Sequence, residues 1–193
     1  EFLGEYSVIC GRNGRGQTCV YPVIHNVHRD HILHTSISPC GLPREREREA
    51  AELGRVIAEQ LELVGLVAVE LFLTPDGWLV NEMAPRPHNS GHLTFDAHAT
   101  SQFEQHIRLV AGWAPGSCVQ HAPACMLNLL GELWENGPPD WPSVAEDPLC
   151  KVHLYDKGEA RPGRKMGHLT FLGTDPEDCL KRARACDRWL RRK

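Results

Sequence analysis

Two glutamates, Glu70 and Glu82, are the residues of this sequence best suited to holding a metal ion. They lie in two predicted strands, 65–73 and 78–84, which a Pro-Asp-Gly sequence at 75–77 separates. Proline and glycine in this order favour a tight turn, so we predict a hairpin that brings the two carboxylates near one another. Neighbouring carboxylates repel unless a cation lies between them, and Mg²⁺ prefers oxygen ligands. Two exposed strand glutamates without a metal are the alternative, which these residue types alone leave open.

A polar loop follows the second glutamate. Residues 81–92 read Asn-Glu-Met-Ala-Pro-Arg-Pro-His-Asn-Ser-Gly-His, a run dense in hydrogen-bond donors. Two prolines favour a rigid loop, and donors directly after an acidic strand suit an anionic substrate beside a metal. A solvated loop made of turn-forming residues is the alternative interpretation.

A second polar segment is cationic. Residues 155–168 contain four cations between positions 157 and 165, interrupted by glycine. Guanidinium and ammonium groups on such a loop suit a phosphate or a carboxylate, although an ordinary basic turn has the same composition. The histidines at 25, 28, 31 and 34 do not predict a metal site, because residues three apart on an extended chain point to opposite faces.

Alternation and helical periodicity predict the elements that must position these residues. Strands are expected at 4–10, 17–24 and 31–37 as an antiparallel meander, and a helix at 43–64 whose apolar face is Leu53, Val56, Ile57, Leu61 and Val64. After the hairpin, Ser101 caps a helix that runs to about Gly112. Three further strands are expected near 123–130, 149–155 and 168–173, and a closing helix begins at Pro176 with Asp175 or Thr174 as its cap.

Composition narrows the class of protein. The chain has 193 residues, 41% of them hydrophobic, and a net charge of −4. These values are typical of a globular protein and argue against a general nucleic-acid or membrane binder. No apolar run approaches the roughly 20 residues of a membrane span. Eight cysteines without a Cys-x-x-Cys pair favour reduced thiols and a cytoplasmic location.

Four segments resemble one family in its own order along the chain. The 81–92 loop resembles the substrate loop of the 5-(carboxyamino)imidazole ribonucleotide synthases, which are ATP-grasp enzymes. Ser-Gln-Phe-Glu-Gln-His at 101–106 resembles the helix that follows this loop. Met-Leu-Asn-Leu-Leu-Gly at 126–131 and the 155–168 segment resemble the family's C-terminal domain.

The resemblance implies an α+β fold: the C-terminal half of an ATP-grasp fold, with an antiparallel sheet and helices, followed by a small β-rich C-terminal domain. Ala-Pro-Gly at 114–116 is the predicted boundary, which gives domains 1–114 and 115–193. The sequence starts at Glu1 within an apparent structural element, so we expect it to be part of a longer protein. The family's N-terminal domain, glycine-rich flap and phosphate-clamping lysines have no counterpart in the sequence, and we expect the chain alone to be inactive.

The family reaction implies ATP and Mg²⁺ as cofactors. ATP phosphorylates bicarbonate, and the carboxyphosphate carboxylates the exocyclic amine of aminoimidazole ribonucleotide, a step of purine biosynthesis. By resemblance, Glu70 and Glu82 hold Mg²⁺. The expected nucleotide contacts are Glu5, His28, Asn81 and Glu82.

The resemblance also implies which residues meet the substrate. The groups expected to bind the ribonucleotide or carboxyphosphate are His88, Asn89, Ser90, Lys157 and Arg164. The expected catalytic groups are Arg86, His88, Lys157 and Arg164, and the full-length protein is expected to be a homodimer. Two alternatives stay open: a formate-dependent glycinamide ribonucleotide transformylase, whose loop usually has Asp-Thr-Gly at 89–91, and a binding fragment without catalysis.

Overall fold

One continuous antiparallel sheet with helices on its faces forms the framework of the molecule. The computed structural model describes residues 1–191. The strands are β1 (Gly4–Arg12), β2 (Thr18–Val20), β3 (Ile24–Arg29), β4 (Ile32–Ser38), β5 (Gly65–Thr74), β6 (Gly77–Ala84), β7 (Ala124–Leu130), β8 (Cys150–Leu154) and β9 (Lys165–Leu172). Their order is β6-β5-β1-β3-β4-β7-β9-β8, and β2 pairs with β1. The predicted α+β class with an antiparallel sheet is confirmed.

Within residues 1–191, five α-helices accompany the sheet: α1 (Arg44–Gln60), α2 (Thr94–Ala97), α3 (Gln102–Val110), α4 (Trp141–Val144) and α5 (Pro176–Leu190). The Ser101 hydroxyl accepts a hydrogen bond from the Glu104 backbone N–H, so the predicted cap of α3 is confirmed. Asp175, rather than Thr174, caps α5 by accepting from the backbone N–H of Glu177. Each cap satisfies a helix N–H that has no partner within the helix.

The first three predicted strands are four in the structure. The segment predicted at 17–24 divides, because Pro22 has no N–H to donate to a ladder and separates β2 from β3. The histidine-rich stretch is not extended throughout, since His31 has φ 63° in the turn between β3 and β4. The predicted three-stranded meander therefore corresponds to β1, β3 and β4, with β1 paired to β3 and β3 paired to β4.

Helix α1 is shorter than predicted and buries only part of the predicted apolar face. Leu53 and Ile57 are partly buried against a core cluster, as predicted. It ends at Gln60, and Glu62 follows with φ 46°. Val56, Leu61 and Val64 were expected to be buried but are 38%, 56% and 49% exposed. The buried stripe consists of small residues, Ala50, Gly54 and Ala58, which let the helix axis approach the sheet closely.

The sheet runs across the predicted domain boundary. Strand β7 pairs with β4, with Ser36 opposite Met126, so the chain after 116 extends the same sheet. A separate core cluster packs α5 against β7 and β9. The division at 114 stays a prediction. All eight cysteines are free thiols, and no helix within residues 1–191 combines the length and apolar character that crossing a bilayer requires.

Candidate active site

Glu70 and Glu82 lie directly opposite each other on β5 and β6. Side chains of such a cross-strand pair emerge on the same face of the sheet, with Cβ atoms about 5 Å apart. Burial raises the pKa of Glu70, and the neighbouring Glu82 carboxylate raises it further. A divalent cation at this position would relieve the repulsion that the second carboxylate imposes.

Polar side chains from three other segments surround Glu70. The Asn81 Nδ2 group donates to Glu70 Oε2 at 3.4 Å, and His88 Nε2 lies 3.5 Å from Glu70 Oε1. Glu5 and His28 form an ion pair across β1 and β3. The charges of both residues act on the pKa of Glu70. The fold thus brings the predicted nucleotide contacts next to the carboxylate pair.

The loop after β6 is anchored to the sheet through buried hydroxyl and amide groups. Ser36 Oγ donates to Asn26 Oδ1 at 2.8 Å, Asn26 Nδ2 donates to Ser7 Oγ at 3.0 Å, and Ser7 Oγ donates to Ser90 Oγ at 2.8 Å. Ser90 is fully buried. Its hydroxyl therefore has an anchoring role in this network, and direct contact of Ser90 with a substrate stays a prediction.

A second anchor comes from α3. The fully buried Gln102 donates through Nε2 to the His88 carbonyl at 2.7 Å and accepts through Oε1 from the His88 backbone N–H at 2.9 Å. Burial lowers the pKa of the His88 imidazole to about 4, so the ring is neutral at physiological pH. Gln102 thereby fixes the backbone at the residue whose side chain faces Glu70.

Asn89 is a residue of the same loop whose side-chain amide makes no hydrogen bond within residues 1–191. Its Nδ2 and Oδ1 atoms are both buried, and neither has a hydrogen-bond partner within residues 1–191. Buried polar groups in proteins are nearly always paired, and an exception calls for an explanation, of which a bound water, ion or ligand is one. A donor and an acceptor side by side suit a substrate that offers both.

Cations of the 155–168 segment complete the wall opposite the carboxylates. Lys157 and Lys165 line an open cleft of about 400 Å³ together with His28, Glu70, Glu82 and His88. Burial lowers the pKa of Lys165, and the Glu70 carboxylate counteracts this effect. The cleft therefore presents an acidic wall and a basic wall to one ligand, as a metal-bound anion requires.

The two predicted arginines are placed differently. Arg86 Nη1 donates to the Pro87 carbonyl at 3.1 Å, and its charge lowers the pKa values of His88 and Lys165. Arg164 Nη1 donates to the Glu159 carbonyl at 3.1 Å within its own loop. The residue after Arg164, Lys165, is the one that lines the cleft.

Two family models match the chain. Residues 1–103 match the ATP-grasp domain, and residues 124–182 match the phosphoribosylaminoimidazole carboxylase C-terminal domain. The chain belongs to the ATP-grasp family. Its carboxylate pair, strands β1 to β6 and the polar loop lie within the first matched region, and Lys157 and Lys165 lie within the second.

Several relatives share one name. The N5-carboxyaminoimidazole ribonucleotide synthase of Bacillus subtilis is 45% identical over 183 residues, which cover 92% of this chain and 46% of that protein. A crystal structure of the ADP complex of an N5-carboxyaminoimidazole ribonucleotide synthetase is 44% identical with a TM-score of 0.91, and the match covers 97% of this chain and 49% of that one. The Aspergillus clavatus synthase in complex with ADP and 5-aminoimidazole ribonucleotide is 29% identical with a TM-score of 0.88, covering 100% and 52%. The chain therefore spans about half the length of the relatives it matches.

Two residues of this ATP-grasp site were missed in the sequence. Lys165 was counted only as part of a basic segment, because the following strand was predicted to begin near 168, whereas β9 begins at Lys165. Gln102 was read only as part of a helix start, and nothing in its spacing revealed that it holds the His88 backbone. His88 lies 14 residues away across a loop, and His92, whose Nδ1 atom lies 2.8 Å from Gln102 Nε2, lies 10 residues away, so only the folded chain shows these contacts.

Proposed function

We propose that this ATP-grasp chain supplies the metal-binding and substrate-binding half of an N5-carboxyaminoimidazole ribonucleotide synthase. The observation that carries the proposal is the single cleft in which Glu70 and Glu82 face Lys157, Lys165 and His88. In the proposed reaction, ATP phosphorylates bicarbonate, and carboxyphosphate transfers its carboxyl group to the exocyclic amine of aminoimidazole ribonucleotide. The products are ADP, phosphate and the carbamate.

The acidic wall fits Mg²⁺. Glu70 and Glu82 offer carboxylate oxygens from opposite positions. Burial raises the pKa of Glu70, and the smaller contribution of the Glu82 charge in the same direction is one that a cation would neutralise. Bound there, Mg²⁺ would offset the negative charge of the nucleotide phosphates. Asn81 holds the Glu70 carboxylate by its side-chain amide. We assign the nucleotide side of the cleft to this wall, with Glu5 and His28 beside it.

The basic wall fits the anionic acceptor and the carboxyl donor. Lys157 and Lys165 offer ammonium groups to a phosphate or a carboxylate, and the charge of Arg86 reaches the same region. Phosphoryl and carboxyl transfer between anions depends on positioning and charge stabilisation more than on covalent help. We assign Arg164 a supporting role in the shape of this loop.

The polar loop fits the imidazole ring. Neutral His88 offers a ring nitrogen without adding charge, and Asn89 offers an unpartnered donor and acceptor. The buried serine and amide network holds both residues in place, so little order has to be acquired on binding. Bicarbonate use, a homodimer and a cytoplasmic location belong to the same proposal, on the resemblance alone.

A hybrid enzyme tests this assignment. The matched half of the Bacillus subtilis synthase is replaced by this chain, and ribonucleotide-dependent ADP release and carbamate formation are measured. We expect activity that Glu82→Gln lowers at least about 100-fold, since a group aimed at transition-state charge is removed. Glu146→Gln, at an exposed glutamate that is not part of the cleft wall, is the matched control. A hybrid that folds but whose ADP release does not increase when the ribonucleotide is added would refute the proposal.

A further inference from the structure

A second group of potential metal ligands lies apart from the carboxylate pair. Asp96, His153 and His168 offer ligand atoms that all lie within 4.8 Å of one another. They come from α2, β8 and β9, elements that do not carry Glu70 or Glu82. Two imidazoles and one carboxylate form a donor set different from the all-oxygen pair that suits Mg²⁺.

The strand register places the two histidines together. His153 and His168 are opposite each other in the β8–β9 ladder, and their rings stack with centroids 4.4 Å apart. His153 Nε2 lies 2.8 Å from Asp96 Oδ2. Ligand atoms of a tetrahedral zinc ion are roughly 3.3 Å apart for metal–ligand distances of about 2.0 Å. Two of the three atoms are thus already close enough to share an ion.

The third residue, His168, has a buried ring nitrogen without a hydrogen-bond partner in the described part of the chain, which is consistent with a bound ion. His168 is 3% exposed, and its Nε2 atom has no hydrogen-bond partner within the described chain. Its other ring nitrogen, Nδ1, lies 2.7 Å from the Tyr155 hydroxyl. Histidines that bind metals commonly have one ring nitrogen held by such an outer partner, which orients the other toward the ion.

We propose that Asp96, His153 and His168 form a binding site for Zn²⁺, with water in the fourth position. Two neutral imidazoles and a carboxylate are ligands that Zn²⁺ takes in other proteins. Binding requires the His168 ring to tilt out of its stack on His153, which brings its free nitrogen toward the Asp96–His153 pair. The ion replaces the hydrogen bond between that pair with two metal–ligand bonds and satisfies the buried Nε2 atom.

The site joins two parts of the chain that are far apart in sequence. Asp96 follows the polar loop. His153 lies on β8, before the basic loop, and His168 lies on β9, which begins at the end of that loop. His92, at the end of the polar loop, has its ring centroid 5.1 Å from that of His168. Zinc is therefore expected to stabilise the folded chain and to restrain the side of the cleft next to His92.

Cobalt titration of the untagged, chelator-treated chain tests the site. Co²⁺ should give the visible absorption bands of tetrahedral coordination, and Zn²⁺ should abolish them by displacement. His153→Ala should weaken Co²⁺ binding by roughly 100-fold or more, because a direct ligand is lost. His121→Ala is the matched control, since the His121 Nε2 atom lies 2.9 Å from the backbone carbonyl oxygen of Asp96 and His121 is not one of the three proposed ligands.

Further variants keep the outcome interpretable. Asp96→Asn removes the anionic ligand at a surface helix, and circular dichroism of each variant establishes that it is folded. Glu70→Gln shows how much Co²⁺ binds at the carboxylate pair. This substitution should not affect the tetrahedral bands. Equal Co²⁺ affinity in the native chain, His153→Ala and Asp96→Asn would overturn the proposal, as would the absence of tetrahedral bands in the folded native chain.

Discussion

Asn89 and Ser90 are adjacent residues with opposite expected roles. Asn89 has no partner for either polar atom within residues 1–191, whereas Ser90 shares a buried hydrogen bond with Ser7. We expect Asn89→Ala to weaken binding of aminoimidazole ribonucleotide about 10-fold or more in the hybrid enzyme and to leave the unfolding free energy unchanged or higher. Ser90→Ala should lower the unfolding free energy by about 1 kcal/mol, because it leaves a buried polar group unpaired. Calorimetric binding and urea unfolding measure the two effects, and a stability loss for Asn89→Ala would contradict the assignment.

Buried histidines should make the stability depend on pH. Burial lowers the pKa of His98 to about 4, and the same cause lowers the pKa values of His88 and His92 to about 4. Because the unfolded value is about 6.5, the unfolded chain takes up these protons first as the pH falls. The unfolding free energy should therefore fall between about pH 6.5 and pH 4, by up to about 1.4 kcal/mol per pH unit for each histidine.

Urea unfolding at several pH values measures this dependence. His98→Gln removes one titrating group outside the cleft and should reduce the slope by up to about 1.4 kcal/mol per pH unit. His31→Gln, at an exposed position, is the matched control for the loss of one imidazole. A native slope of zero across this pH range would show that these rings are accessible to protons in the folded chain.

At the scale of elements, close approach of α1 to the sheet depends on Gly54. A Cβ atom there would lie 2.5 Å from Cys10 Sγ and 3.0 Å from Val8 Cγ1. Alanine in place of glycine normally stabilises a helix by about 1 kcal/mol. Here overpacking should outweigh that gain, and we expect Gly54→Ala to lower the unfolding free energy by about 1–2 kcal/mol.

A double-variant cycle distinguishes this clash from a general effect on the helix. Cys10→Ala removes the sulfur atom, so Gly54→Ala should be much less harmful in the Cys10→Ala background. Chemical denaturation of the native chain, both single variants and the double variant provides the coupling energy. Additive effects would mean that the helix shifts freely and that the small-residue stripe is not the constraint.

The same elements show what the sequence could and could not predict. The β5–β6 hairpin was predictable because a Pro-Asp-Gly turn between two strand-forming segments favours their local pairing. The buried face of α1 was predictable only in part, because large apolar residues were weighted over the small ones that fit beneath a close-packed sheet. Lys165 was missed for a related reason: which cation of the basic loop reaches the cleft depends on where β9 begins.

Across the whole molecule, one sheet carries both walls of the cleft. The acidic wall belongs to β5 and β6 at one edge, and the basic wall follows β8 and precedes β9 at the other. The loop that bears His88 and Asn89 is held between them by Ser7 and Gln102. The relative position of the two walls therefore depends on the continuous β4–β7 pairing. The carboxylate pair was predictable from the hairpin, whereas its combination with the basic segment in one cleft was expected only from the resemblance of ordered motifs.

The 193 residues alone are expected to have no synthase activity. The chain spans about half the length of its matched relatives, and the resemblance places the flap and the phosphate-clamping lysines in the other half. Removing one preorganised electrostatic donor commonly costs about 100- to 1000-fold in rate, and several are involved here. The purified chain is incubated with ATP, Mg²⁺, bicarbonate and aminoimidazole ribonucleotide, and ADP release is measured. Ribonucleotide-dependent release at a rate typical of enzymes would show that these residues hold a complete site, whereas activity restored only in the hybrid would locate the missing groups in the other half.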